Sequence, residues 1–330
     1  MFAIIDGGTT NTRICLMEQG RIIGKKKYYV GIRDTLNGNN SYRDFIRSIL
    51  NDISETHDAH PEAVLASGML TSETGLYCCP HRTLPIDFTE LALSLIPTRL
   101  PDISPLPFWF IPGLKTFGSS LLSAKNLDAD TLSGMDILRG EESEIVGICT
   151  EMSLTDDFMM ILPGSHTKYI SIESGSRITS FRTSMTGELM RAVMENTILK
   201  SSLGSIYPER ICEDYLHFGY THAERYGSAD AMFKVRILDK FSDGIKPEQL
   251  YSFLLGAVLC DDIVQIAKCG TPVYIGGSDP FRSAFRSLLE KSVLTGHVNE
   301  IPAEISDCAA AYGAEWLYRR HINEIFTEHL

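Results

Sequence analysis

Short apolar runs alternate with turns and amphipathic segments along this chain, and the pattern predicts an α/β fold. Residues 2–5 form an apolar run that is typical of a buried strand. A turn of small residues follows, and residues 12–17 and 21–30 continue as its partners in an antiparallel meander. The opening of the chain is therefore predicted to be an antiparallel meander of three strands with a short first turn.

A helix and another buried strand are predicted after the meander. Asn40 or Ser41 can cap the helix, and residues 63–66 form an apolar strand that leads into Ser67 and Gly68. Strand, helix and strand in this order imply parallel pairing. Because ligands bind beyond the carboxyl ends of such strands, Ser67 and Gly68 are expected to lie near a cleft.

The middle of the chain gives two further expectations. Prolines cluster in residues 97–112, which predicts a surface connection that runs into one strand containing Trp109. A helix is expected over residues 136–152, with Glu141 and Glu142 in its first turns. Acidic residues near a helix start complement the helix dipole, so structure alone would explain these two glutamates.

The opening architecture then recurs. Residues 158–162, 167–172 and 177–183 predict a second meander, and its first turn is again built from small and hydroxyl-bearing residues. Mainly helical segments follow, and a strand at 271–275 ends in Gly276 and Gly277. A repeat of architecture of this kind predicts two similar domains that face each other.

The domain boundaries follow from this repeat. The first domain is expected to cover residues 1–150, and the second residues 151–305. The C-terminal helix at 306–330 carries a small-residue face that is suited to packing back on the first domain.

Composition narrows the class of protein. The net charge of −12 argues against a nucleic-acid-binding surface. No run of apolar residues is long enough for a membrane span, and no leader is recognisable, so a cytoplasmic location is expected. The eight cysteines include no C-x-x-C pair, which predicts free thiols and no zinc site. A homodimer is compatible with the sequence.

The first turn has the residue types of a phosphate site. Backbone N–H groups of small residues can face an anion without a side chain in the way, and Asp6 could hold a hydrated Mg²⁺. An ordinary hairpin turn favours the same residue types, so the turn alone leaves both readings open. The residues concerned are Asp6, Gly7, Gly8, Thr9, Thr10 and Asn11.

Five motifs together resemble the 2-dehydro-3-deoxygalactonokinase family, within the acetate and sugar kinase–actin superfamily. They are residues 6–11 (DGGTTN), 66–69 (ASGM), 139–142 (RGEE), 162–168 (LPGSHTK) and 185–188 (MTGE). The resemblance runs from residue 1 to about residue 318. Gly7 departs from the family pattern, since an aromatic residue is common at that position.

The resemblance implies two ribonuclease H-like (actin-like ATPase) domains with a nucleotide cleft between them. It also implies an ATP- and Mg²⁺-dependent kinase that phosphorylates the 6-hydroxyl of 2-dehydro-3-deoxy-galactonate, or of a closely related sugar acid, in galactonate catabolism. A phosphatase or NTPase of the same superfamily, and a non-catalytic sugar-sensing regulator, are the alternatives.

Motif by motif, the resemblance assigns expected roles. Asp6 would face Mg²⁺ in a first phosphate loop that contains Gly7, Gly8, Thr9, Thr10 and Asn11. The second phosphate loop would contain Gly164, Ser165, His166 and Lys168, and the adenosine motif Gly276 and Gly277. The sugar acid would be expected near Ser67, Gly68, Met69, Arg182, Thr186 and Glu188.

Two roles are also argued from the chemistry. Phosphoryl transfer to a hydroxyl needs a proton acceptor, for which Glu142 or Glu141 is the first choice and Asp6 the competitor. A carboxylate substrate calls for an arginine partner. Arg182 is the first choice for that partner, with Arg139 and Arg13 as the others.

Overall fold

The chain forms two compact units in the computed structural model. The structure describes residues 1–36, 42–117, 128–204, 207–267, 270–291 and 297–327. The first unit comprises Met1–Asp156, Glu173–Ser180 and Glu304–Leu330, and the second comprises Asp157–Ile172 and Phe181–Ala303. Asn40 and Ser41, the expected helix cap, lie outside the described residues.

The main sheet of the first unit has six described strands in the order β3-β2-β1-β4-β8-β7. As expected, β1 and β2 pair antiparallel, whereas β1 and β4 pair parallel with Asp6 opposite Ser67. A small second sheet has the order β10-β9-β5. The strands are β1 (Phe2–Gly7), β2 (Thr12–Glu18), β3 (Arg21–Tyr28), β4 (Ala63–Gly68), β5 (Arg82–Thr83), β6 (Ile86–Asp87), β7 (Ile96–Arg99), β8 (Pro107–Phe110), β9 (Leu114–Lys115) and β10 (Ile137–Leu138).

Helices cover this sheet and bury its apolar face. Ile46, Ile49 and Ile53 recur at helical spacing on α2 and pack into the core with β1 and β4 residues such as Ile5 and Ala66. The described helices of this unit are α1 (Ile32–Leu36), α2 (Tyr42–His57), α3 (Phe88–Leu93), α4 (Ala129–Ser133) and α5 (Glu141–Glu151), with the C-terminal helix α13 (Ala309–Thr327).

Helices α5 and α13 approach each other through glycines. A Cβ on Gly147 would lie 1.9 Å from the carbonyl oxygen of Ala309, and a Cβ on Gly313 would lie 1.8 Å from that of Ser143. Only glycine permits such contact of two helix backbones. The packing fixes the position of α5, which begins with Glu141 and Glu142.

Two expectations for this unit are wrong. Residues 97–112 were expected to contribute one strand, but the antiparallel hairpin of β7 and β8 is present. The helix expected from residue 136 begins only at Glu141. Gly140 has a φ of 113°, which a right-handed helix does not accommodate, and Ile137–Leu138 extends as β10 instead.

The second meander is present as expected and builds the sheet of the second unit. Strand β11 pairs antiparallel with β12 and parallel with β14, which pairs parallel with β15. The first residues of β13, which belong to the first unit, pair with β6. The strands are β11 (Phe158–Leu162), β12 (Thr167–Glu173), β13 (Arg177–Ser184), β14 (Val273–Ile275) and β15 (Val298–Glu300).

Helix α10 is the centre of the second core. By length and composition alone it could cross a membrane, but 78% of its most apolar window is buried. Its packing against α6, α8 and α9 explains the apolar sequence as that of a core helix. The remaining helices are α6 (Thr186–Asn196), α7 (Lys200–Leu203), α8 (Glu213–Tyr226), α9 (Ser228–Phe241), α10 (Pro247–Ile266), α11 (Phe281–Glu290) and α12 (Ala303–Ser306).

Candidate functional site

The first turn, residues 8–11, is held tightly at the end of β1. The Gly8 N–H donates to the Asn11 carbonyl at 2.7 Å, and the Gly8 and Thr9 carbonyls accept from the start of α1. The Asn11 amide also donates to the Thr10 hydroxyl at 3.0 Å. The turn therefore has a fixed backbone, and Thr9 is exposed at its tip.

Gly7 has no room for a larger residue. A Cβ there would lie 2.8 Å from both Leu70 Cγ and the Tyr42 hydroxyl. Tyr42 is itself fixed, since its hydroxyl lies 3.2 Å from that of Thr12. Leu70 and Tyr42 thus leave no room at Gly7 for the aromatic side chain that the family resemblance leads us to expect.

Asp6 lies partly exposed at the carboxyl end of β1. Its nearest described cation is Arg13, with Nη1 3.7 Å from Oδ2. Burial raises the pKa of Asp6, and Arg13 offsets this only in part. Arg13 therefore balances the negative charge of the Asp6 carboxylate only in part.

Glu142 is fully buried in the first turn of α5. Its Oε2 accepts from the Gly140 N–H at 2.6 Å, whereas its Oε1 has no hydrogen-bond partner among the described residues. Burial, and then the neighbouring Glu141, hold the pKa of Glu142 well above its ordinary value. A carboxyl group in this state is a candidate proton acceptor.

Glu141 and Glu144 lie close to Glu142 in the first turn of α5. Glu141 also raises the pKa of Glu144, which reaches about 8 chiefly through burial. Glu144 and Asp6 line one small cavity of about 20 Å³, which is enough for a water molecule. The sequence analysis missed Glu144, although the acidic run at the helix start was the available signal.

The expected sugar-acid residues of this unit lie next to Asp6. Ser67 is buried, and its hydroxyl has no partner within the described part of the chain. Gly68 has a φ of 71°, and a Cβ there would lie 3.1 Å from Asp6 Oδ1. A Cβ on Gly140 would lie 3.1 Å from the Gly68 Cα. The structure thus brings Asp6, Ser67, Gly68 and the Gly140–Glu142 turn together, with Met69 directly after β4.

Arg139 is occupied by structural contacts. Its Nη1 donates to the Thr71 carbonyl and hydroxyl, both at 2.5 Å, and its Nη2 donates to the Cys79 carbonyl at 3.1 Å. Nη2 also lies 3.0 Å from His81 Nε2. Arg139 therefore ties the Gly140 turn to the loop after β4.

The second turn, in the other unit, packs on the start of α6. Gly164, Ser165 and His166 are exposed. The Ser165 carbonyl accepts from the Glu188 N–H at 3.0 Å, and His166 Nε2 lies 2.7 Å from Glu188 Oε2. The positive end of the α6 dipole is therefore close to this turn, which favours an anion.

Buried polar side chains and closely packed glycines adjoin this second turn. Lys168 is buried rather than solvated, and its Nζ donates to the Thr183 hydroxyl at 3.1 Å. The Thr167 hydroxyl is buried without a hydrogen-bond partner in the described structure. Gly277, with φ of 74°, packs so closely that a Cβ would lie 3.1 Å from the Pro163 carbonyl oxygen. Gly276 donates to Ile161 at 2.9 Å, so both glycines adjoin the turn.

Arg182 and Thr186 meet at a carboxylate that the sequence analysis did not single out. Asp262 on α10 is buried, and its oxygens lie 3.2 Å from Arg182 Nη2 and 3.0 Å from the Thr186 hydroxyl. The Arg182 guanidinium also stacks over the Tyr169 ring, 4.6 Å from its centroid. The adjacent acidic residues Asp261 and Asp262 interrupt the apolar part of α10, and they were the available signal for this contact.

The two units define the fold class, which is α/β with a meander and a first turn of small residues in each unit. A family model described as 2-keto-3-deoxy-galactonokinase matches residues 6–307, and the chain belongs to that family.

Individual relatives are distant. The chain is 24% identical over 202 residues to the 2-dehydro-3-deoxygalactonokinase of Escherichia coli K12, an alignment that spans 61% of this chain and only 59% of the relative. A proposed 2-dehydro-3-deoxygalactonokinase from Sinorhizobium meliloti superposes with a TM-score of 0.77 at 18% identity, over 97% of this chain and 96% of that one. An activator of 2-hydroxyisocaproyl-CoA dehydratase from Clostridium difficile, with bound ADPNP, gives a TM-score of 0.50 at 12% identity, over 99% and 96% of the chains. The structural matches establish the fold.

Proposed function

We propose that this chain is an ATP-dependent kinase that phosphorylates the 6-hydroxyl of 2-dehydro-3-deoxy-galactonate or of a closely related sugar acid. Membership of the family supports the reaction class. The observation that carries the proposal is the buried Glu142 carboxyl, whose Oε1 has no hydrogen-bond partner among the described residues, beside Gly140 and Gly68. Burying such a group lowers stability, which a catalytic role would explain.

Glu142 is the proposed proton acceptor. Its Oε2 is fixed by the Gly140 N–H, which orients Oε1 for a substrate hydroxyl. A raised pKa suits a carboxylate to take a proton from a hydroxyl as the oxygen attacks phosphorus. Ser67, Gly68 and Met69 would position that hydroxyl, and Glu141 would assist by keeping the proton affinity of Glu142 high.

The residues present fit a Mg²⁺ that arrives with the nucleotide. Across the described ranges, no three His, Cys, Asp or Glu side chains form a ready metal cage. Mg²⁺ needs only one or two carboxylates, with waters and substrate phosphates as its other ligands. Asp6, whose nearest cation is at 3.7 Å, would hold it. When bound, Mg²⁺ neutralises charge on the phosphates.

The two turns would bind the nucleotide. Gly7, Gly8, Thr9, Thr10 and Asn11 form the first proposed phosphate loop, and Gly164, Ser165, His166 and Lys168 form the second. Gly276 and Gly277 would lie against adenosine. Thr186, Glu188 and Arg182 remain proposed substrate residues, although each already has a protein partner. We place the reaction in galactonate catabolism in the cytoplasm.

The test is ADP release with ATP and a panel of 2-keto-3-deoxy sugar acids. ATP turnover only when such an acid is present supports the kinase. Equal ATP hydrolysis without the acid would instead favour an NTPase, and binding of the acid without turnover would favour a sugar-sensing regulator.

A further inference from the structure

A broad groove on the first unit is not used by any role proposed so far. It has a volume of about 570 Å³ and lies along the small sheet of β5, β9 and β10. Its lining includes His81, Arg82, Lys115, Pro85 and Leu93. This volume falls in the range of small-molecule sites.

The groove is rich in positive charge, although the chain as a whole is acidic. Arg82 and Lys115 come from the neighbouring strands β5 and β9. Neither side chain forms an ion pair with any residue that the structure describes. The one acidic residue of the described lining, Glu90, is engaged, since its Oε2 accepts from the Asp87 N–H at 3.0 Å. An anionic ligand would therefore meet two cations that form no ion pair with the described residues.

His81 lies between this groove and Arg139. Burial is the largest cause that lowers the pKa of His81 to about 4, and the positive charges of Arg139 and Lys115 contribute to the same shift. The imidazole is thus neutral at physiological pH. The positive charges of Arg139 and Lys115 both lie near this neutral His81 ring, and a positive potential of this kind attracts carboxylates.

Arg139 connects the groove to the proposed catalytic turn. Its backbone precedes Gly140, and its Nη2 reaches His81 at 3.0 Å. The groove and the Gly140–Glu142 turn are therefore linked through the side chain of Arg139. An extended six-carbon acid carries its carboxylate and its terminal hydroxyl at opposite ends.

We infer that this groove binds the carboxylate end of the sugar acid, with Lys115 and Arg82 as its charged partners. The inference rests on the proposed function and names the residues that would bind the carboxylate of its substrate. Arg182, the residue expected from the sequence, already pairs with Asp262. Pro85 and Leu93 give the groove an apolar side, which suits the deoxygenated carbon of a 2-keto-3-deoxy acid.

The test compares Lys115→Gln, Arg82→Gln and the double variant with wild type, using a 2-keto-3-deoxy sugar acid and its neutral carboxamide. The KM for the acid should rise about 10-fold or more in each single variant, because a charge-assisted contact is lost. The KM for ATP should stay within about twofold, and the preference for acid over amide should disappear in the double variant. Lys200→Gln, an exposed lysine on α7, is the matched control.

Acid binding without ATP, measured by calorimetry, separates this inference from the proposed function. Binding to wild type that the double variant loses supports the groove even if no turnover is found. A double variant with an acid affinity within about twofold of wild type overturns the groove assignment while leaving the kinase proposal intact. No acid binding to wild type overturns both.

Discussion

Replacing Glu142 by glutamine should lower activity while making the folded protein less sensitive to alkaline pH. Glu142 is buried, with one oxygen bonded to the Gly140 N–H at 2.6 Å and the other without a partner among described groups. Glutamine keeps the shape and the acceptor for Gly140 but has no proton to lose. The variant therefore removes the titration and changes little else.

The direction in which pH changes the stability of wild type follows from the raised pKa of Glu142. In the unfolded chain the carboxyl has its ordinary pKa of about 4.5, whereas the folded protein keeps the proton to higher pH. As pH rises above about 4.5, the unfolded state binds fewer protons than the folded state, so the free energy of unfolding falls. The slope is about 1.4 kcal/mol per pH unit for one proton, and it ends at the folded pKa.

The assay is urea unfolding of both proteins from pH 5 to 8, with EDTA present to exclude metal binding. Wild type should lose stability relative to Glu142→Gln by up to about 1.4 kcal/mol per pH unit. Glu151→Gln, an exposed glutamate at the other end of α5, should parallel wild type. In kinetic assays, kcat of Glu142→Gln should fall about 10²- to 10⁴-fold. Parallel stability curves for wild type and Glu142→Gln, or near-normal kcat, would refute the reasoning.

Three further changes test the packing and the site. Gly147→Ala should lower the free energy of unfolding in urea by about 1–3 kcal/mol, because its Cβ would lie 1.9 Å from a carbonyl oxygen. Gly134→Ala is the control, since the nearest atom to its Cβ is 3.7 Å away. Equal losses of stability in the two variants would contradict this account. Ser67→Ala should leave stability unchanged or higher, since its hydroxyl has no described partner, while KM for the sugar acid rises; a clear loss of stability would show a missed contact. Asp262→Asn should lower the free energy of unfolding in urea by about 1.5–3 kcal/mol, because it weakens the contact with Arg182. A loss below about 0.5 kcal/mol, which is typical of a surface substitution, would contradict this prediction.

The periodic parts of the fold were predictable because burial determines them locally. Residues 2–5 and 158–162 are apolar runs bounded by turn residues, and both became central strands that begin a meander. The parallel pairing of β1 with β4 also followed from the order of strand, helix and strand. Hydrophobic pattern and connection rules were sufficient for these features.

Other features depend on contacts between distant segments. Strands β5, β9 and β10 have two residues each, too few for any periodicity, so the groove beside them had no sequence pattern. The start of α5 depends on the positive φ of Gly140, at a position where a Cβ would lie 3.1 Å from the Gly68 Cα. Asp262 was hidden because its role depends on Arg182, which is 80 positions away in the chain.

The carboxyl groups around the first turn lower the stability of the folded protein. This cost indicates that they serve ligand binding. Asp6, Glu142 and Glu144 all have pKa values raised chiefly by burial, so each lowers stability as it ionises. Arg13 is the cation that lowers the pKa of both Asp6 and Glu144, and its side chain is half exposed. A purely structural role would be served better by neutral side chains of the same size. A cation brought by a nucleotide would instead stabilise the ionised forms, so its binding should release protons. Proton release on addition of Mg²⁺ and ADP, measured with a pH indicator and reduced in Asp6→Asn, is the expected result, and equal release from both proteins would contradict this account.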